Sequence, residues 1–205
     1  MNLGDPSDVG LAQVPARLLA ALAQVSGGVT IRQLARISGV SLARTHYWVT
    51  FWADRGVVTQ LHAGRALMCS LNHEHIMTAS LVNLASARAA IMKCIVAEVE
   101  KWPLVPLNVT TFGSFARGDG SVTSDIDLLV IVDVDDLDTW SDQLQLASET
   151  LQTKIGNPIQ FLDYPVKTWH NMMHQNDPVV TEIHRDGIHI FGEYLTIVEA
   201  TFNTE

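Results

Sequence analysis

The eight residues DIDLLVIV, 125–132, put two carboxylates at the mouth of an unbroken apolar run. Side chains alternate along extended backbone, so Asp125 and Asp127 share one face. Leu128 to Val132 shows no polar alternation, the pattern of a strand buried on both sides. Two carboxylates held together at the end of such a strand are costly unless a cation neutralises them. A divalent ion does so, and Mg²⁺ favours one or two carboxylates completed by substrate phosphates.

The residues just upstream suit the same ligand. LNVTTFG, 107–113, alternates Leu107, Val109 and Thr111 with polar residues and predicts a strand. Gly113-Ser114 follows it. Glycine lets backbone approach a triphosphate closely, and a serine hydroxyl with nearby N–H groups can bind phosphate oxygens. The Gly-Lys-Ser/Thr of a Walker loop and the dinucleotide-binding glycine pattern are both absent.

GSFARGD followed by SDIDLLV resembles the signature of the DNA polymerase β-type nucleotidyltransferase superfamily, and its minimal branch in particular. The resemblance spans about 104 to 195, with its specificity in 113–127. It implies that Gly113 and Ser114 hold nucleotide phosphates and that Asp125 and Asp127 bind Mg²⁺ or Mn²⁺. It also implies that Arg117 lies near the phosphates and that Ser124 belongs to the nucleotide-binding set. The helix and strand it calls for next are supplied by 137–155 and by IQFLDY, 159–164. Family members carry a third acid early in that strand, where this chain has Gln160. Asp163 comes three residues later and, in a regular strand, on the opposite face. Either Asp163 is the third catalytic and metal-binding carboxylate, through a bulge, or the site has only two.

The first half has a different character. Residues 1–72 carry six arginines against Asp5, Asp8 and Asp54, a balance of +3; residues 73–205 carry seven basic and nineteen acidic residues, a balance of −12. Such a split suggests two modules with different partners. PARLLAALAQV, TIRQLARISG and SLARTHYWVTFWADRG predict three helices, and the runs around Ala63-Gly64 predict a hairpin. This pattern resembles the winged helix-turn-helix family. It implies a recognition helix 41–55 whose Arg44, Thr45 and His46 face a DNA major groove, with Arg32 and Arg36 on phosphates and Arg65 at the wing tip. The alternative is a dimerisation or protein-binding module. Residues 73–102 read as one long helix ended by Pro103.

The expected architecture is therefore α+β. A winged helix domain spans 1–72 (three helices plus a β-hairpin), a linker helix 73–103, and a nucleotidyltransferase α/β domain with a mixed sheet 104–205. No apolar run reaches the ~18 residues of a membrane span. The acidic start MNLGDPSDVG predicts no secretory signal, and two cysteines predict no disulfide framework, so the expected location is cytoplasmic. The resemblance implies transfer of a nucleoside monophosphate from an NTP, with ATP the first candidate, to a protein or RNA hydroxyl. The fused winged helix favours a toxin–antitoxin or regulatory setting, with double-stranded DNA as a partner and a homodimer possible. The rival expectation is a DNA-binding regulator, or antitoxin-like module, whose second domain only senses nucleotide.

Overall fold

Apolar side chains sort the chain into two units with separate cores, Asp5–Ala90 and Met1–Gly4 with Ile91 onward. The computed structural model describes residues 1–64, 66–134, 136–175 and 177–193.

The first unit runs α1 (Gln13–Ala23), β1 (Val29–Thr30), α2 (Ile31–Ser38), α3 (Leu42–Ala53), β2 (Val58–Ala63), β3 (Ala66–Leu71) and α4 (Thr78–Ala85). Its strands form an antiparallel sheet in the order β1-β3-β2. Three helices and a β-hairpin in this order make a winged helix. Local chemistry sets its boundaries. The Thr30 hydroxyl accepts from the Gln33 N–H while Gln33 Oε1 accepts from the Thr30 N–H, a reciprocal cap that starts α2. Gly39, at φ +66°, ends it. Leu18, Leu19, Leu34, Val49, Trp52 and Val58 form the core.

The single linker helix expected over 73–103 is instead two helices, α4 and α5 (Ala87–Val99), interrupted at Ser86. The reason is packing. Leu81, Val82 and Ala85 join the winged helix core, whereas Ile91, Ile95 and Val99 join the core of the second unit. One helical periodicity thus concealed two apolar stripes with different destinations.

The second unit continues with β4 (Asn108–Phe112), α6 (Gly113–Arg117), β5 (Ile126–Val132), α7 (Leu137–Ile155), β6 (Ile159–Pro165), α8 (Val166–His174), α9 (Pro178–Asp186) and β7 (Ile188–Gly192). The sheet is mixed, in the order β6-β5-β4-β7: β5 and β6 are parallel, and β4 is antiparallel to both β5 and β7. Strand β5 is buried on both sides, as its sequence predicts. Ile126, Leu128, Val130 and Val132 pack with Trp140, Leu144 and Leu151 of α7 and with α5. Leu129 and Ile131 pack on the other face with Trp169, Val180 and Ile183 of α8 and α9. By parity Asp127 lies on this second face, at the open end of the strand.

Candidate active site

The link from β4 to β5 builds the site. Phe112 stands opposite Asp127 in the ladder, so the chain turns into α6 directly beside that aspartate. The turn requires Gly113 twice over. Its φ is +66°, a left-handed conformation, and an added Cβ would collide with the Asp127 carboxylate. The Asp127 side chain therefore rests on the Gly113 backbone, with Ser114 next in the chain and Asp125 two residues back. Burial, first, and then the charges of Asp125 and Glu182 raise the Asp127 pKa above the ordinary aspartate value; Arg117 opposes them.

The loop from α6 to β5 is held by its own polar groups. Gly118 and Asp119 donate their N–H groups to the Ser114 carbonyl at 3.0 and 3.1 Å. The Ser124 hydroxyl accepts from the Ser121 N–H at 2.8 Å. Ser124 thus shapes the loop that delivers Asp125. Arg117 is paired with three carboxylates: Asp119 at 3.2 Å, and Glu182 and Asp186 of α9 at 3.3 Å each. Asp186 also pairs with Arg185 at 2.7 Å, and the hydrogen bond from Arg185, then that from Arg117 and the two charges, hold its carboxyl below the usual range against the opposing effect of desolvation. Glu182 and Asp186 were missed in the sequence. Their i,i+4 spacing, which puts two carboxylates on one helix face, was the available signal.

Asp163 is not brought to this group. In the parallel pairing of β5 with β6, Asp127 is partnered by Gln160, and Asp163 by Val130. Val130 belongs to the core on the opposite face of the sheet. No bulge interrupts the pairing from Ile126 to Val132, so parity holds and Asp163 points away from Asp127. Its carboxylate instead accepts a 2.8 Å hydrogen bond from the Trp140 indole N–H.

Among the described residues no group of three or more His, Cys, Asp or Glu is arranged to hold a metal. Asp125 and Asp127 still fit a hard cation. Asp125 precedes the first residue of β5 and Asp127 lies within it, and the proton affinity of Asp127 is raised by burial and then by the Asp125 charge, a cost that bound positive charge relieves. Phosphate oxygens would complete the coordination.

In the winged helix, Arg32, Arg36, Arg44 and His46 are all exposed. Thr45 is not available to a groove. It is fully buried, and its hydroxyl donates to the Ser41 carbonyl at 3.0 Å, because the fourth position of α3 turns onto the core. Arg65 lies outside the described residues. Arg44 lines a surface pocket with Arg17 and Ser41. Further along α3, Tyr47, 60 % exposed, stacks with Phe51, and the Arg55 guanidinium lies 3.5 Å from the Phe51 ring centre.

No curated protein matches the chain. Three solved structures show partial similarity. One is a toxin–antitoxin with AMP-PNP, at 17 % identity over 50 % of this chain and 73 % of that one, with a TM-score of 0.34. A MarR family transcriptional regulator from Silicibacter pomeroyi DSS-3 is 29 % identical over 45 % of this chain and 66 % of its own, also at 0.34. TrmBL2, an archaeal chromatin protein, is 13 % identical over 81 % and 70 % of the two chains, at 0.24. The stretch that carries Gly113, Ser114, Asp125 and Asp127, residues 105–193, matches the family model for the polymerase beta nucleotidyltransferase domain.

Proposed function

We propose that this chain is a metal-dependent nucleotidyltransferase. It moves a nucleoside monophosphate from an NTP, ATP in the first instance, to a hydroxyl of a protein or RNA acceptor in the cytoplasm, and its winged helix engages double-stranded DNA. The observation that carries the reading is the Asp127 carboxylate seated on the Gly113 backbone, beside Ser114 and Asp125. Asp125 and Asp127 would hold Mg²⁺ or Mn²⁺, which when bound would supply charge neutralisation at the reacting phosphate. Gly113 and Ser114 seat the triphosphate. Arg117, released from its carboxylate partners, steadies the charge on the leaving pyrophosphate. The acceptor oxygen forms its bond to the α-phosphorus as the bond to pyrophosphate breaks, and the acceptor proton passes to solvent. Positioning and neutralisation carry most of the catalysis in such transfers.

The test incubates the protein with Mg²⁺ and each α-labelled NTP in cell lysate, beside Asp125→Ala/Asp127→Ala. Label transfer that falls by about 100-fold or more in the double variant supports the reading. Equal labelling by both proteins sinks it.

Gln160 beside Asp127, where the family carries an acid, favours a second reading. In it the protein is a DNA-binding regulator, or an antitoxin-like module, that senses nucleotide without transferring it. Tight NTP binding without label transfer, together with a footprint on its own promoter, supports this one.

A further inference from the structure

We propose that Met1–Gly4 and Asn157 form a brace that positions the nucleotide loop, residues 118–124; the inference rests on the nucleotidyl-transfer reading of 113–127. The tail belongs to the second unit although the first unit separates it in sequence from the rest. Leu3 is fully buried, in the same core as Phe115, Ile126 and Leu128. Gly4 donates its N–H to the Gly120 carbonyl at 2.7 Å, and Leu3 donates to Ser121 at 3.3 Å.

The fit is tight enough to transmit position. A Cβ on Gly4 would lie 2.6 Å from the Gly120 carbonyl oxygen. A Cβ on Gly120 would lie 2.8 Å from Leu3 Cβ and 3.1 Å from Ser114 Oγ. The tail therefore sits on Gly120, and Gly120 sits on the hydroxyl assigned to the phosphates.

Asn157 closes the other end. It is fully buried just past the end of α7. Its Nδ2 donates to the carbonyls of Met1 at 3.0 Å, Val122 at 3.3 Å and Ser124 at 3.0 Å. One amide thus joins the tail, the loop and the residue preceding Asp125. Its Oδ1 has no hydrogen-bond partner among the described residues, so every hydrogen bond that this side chain makes there is a donated one. The loop has no ladder or helix of its own. The brace holds it ordered before nucleotide arrives, which is how preorganised sites avoid an entropic cost on binding.

The test uses the full chain with Leu3→Ala, Gly4→Ala and the conservative Leu3→Met. Hydrogen exchange of 118–124, ATP affinity in Mg²⁺ and the split between KM and kcat are measured together. Leu3→Ala and Gly4→Ala should speed exchange in the loop and raise the ATP Kd and KM about tenfold, and Leu3→Met should restore both to within about twofold. Gly4→Ala keeps the test open should the cavity left by Leu3→Ala prevent folding, because it displaces the tail without emptying the core. A lowered Tm with unchanged loop exchange and unchanged ATP affinity would overturn the brace and leave the tail a packing element. Wild-type protein that binds no ATP would sink the nucleotidyl-transfer reading instead, and the exchange measurement would still decide the brace.

Discussion

The turn from Gly113 to Asp127 and the outer face of α3 are built on opposite terms. In the turn Arg117, Asp119, Ser121, Thr123 and Ser124 each have a polar partner. Asp127 lies on Gly113, Ser124 caps Ser121, and Arg117 sits among three carboxylates. On α3 the side chains expected to meet DNA, Arg44 and His46, are exposed, and the neighbouring Tyr47 stacks on Phe51 and meets Trp48 edge-on. A loop tied down by its own hydrogen bonds and ion pairs lets each residue be read by its partner. An exposed helix face reports only the class of partner, through its charge.

Four experiments break or sharpen this comparison. The largest effect is expected from Gly113→Ala, which adds a side chain at a positive φ and drives it into the Asp127 carboxylate. Transfer should fall about 100-fold or more, and strain should cost about 1–3 kcal/mol in denaturant unfolding. A variant that retains wild-type transfer would show that the turn does not seat the nucleotide.

The second probes α3. Arg36→Ala/Arg44→Ala should weaken duplex DNA binding about tenfold and lower the salt slope by about two, with label transfer unchanged. Thr45→Ala should instead lower stability by about 1 kcal/mol and leave DNA affinity alone, because its hydroxyl bonds to Ser41 within the core. Wild-type protein with no DNA affinity at low salt would make the winged helix a protein-binding module.

The third uses pH. The folded-state pKa of Asp127 is raised, chiefly by burial and then by Asp125. The folded state therefore holds this proton more tightly than the unfolded state does. Stability contributed by Asp127 is lost as pH rises through the folded value, and the penalty is complete above it. Asp127→Asn should raise Tm at pH 7, and the gain should shrink as pH falls toward the ordinary aspartate range. Mg²⁺ should stabilise the wild type and leave Asp125→Ala/Asp127→Ala unmoved. A destabilised Asp127→Asn at pH 7 would contradict the account of the site's electrostatics.

The smallest effect is expected at Asp163. Asp163→Ala removes the acceptor of the Trp140 indole and should cost about 1 kcal/mol of stability. Transfer should stay within about twofold of wild type, as expected for a side chain that does not touch the reacting atoms. A large loss of transfer in folded protein would restore Asp163 to the site.

Much of the second unit was legible from the chain alone. The helix read as 137–155 is α7 with the same limits, because its Asp136 cap and terminal Gly156 are local signals. The double burial of β5 followed from its unbroken apolar run, whereas the strand expected to begin at Asp125 begins at Ile126. In the first unit, helix caps and a glycine turn announced the winged helix. The split of 73–103 was not legible, since periodicity marks a buried stripe but not the core it enters. The burial of Thr45 was also hidden, because the phase of a short helix against its core depends on its neighbours.

What the sequence determined by itself was therefore what lies within a few bonds or one structural period. The Gly-Ser turn, the paired aspartates and the ends of α7 belong to that set, because φ/ψ preference and side-chain alternation are local. Tertiary structure decided the rest. The register of β5 on β6 set Gln160 beside Asp127 and turned Asp163 to the far face. The packing of α9 brought Glu182 and Asp186 to Arg117. The return of Met1–Gly4 to the loop at 118–121 joined segments more than one hundred residues apart in sequence. Pairings over such distances are selected by the burial of whole faces, and no window of the chain contains both partners.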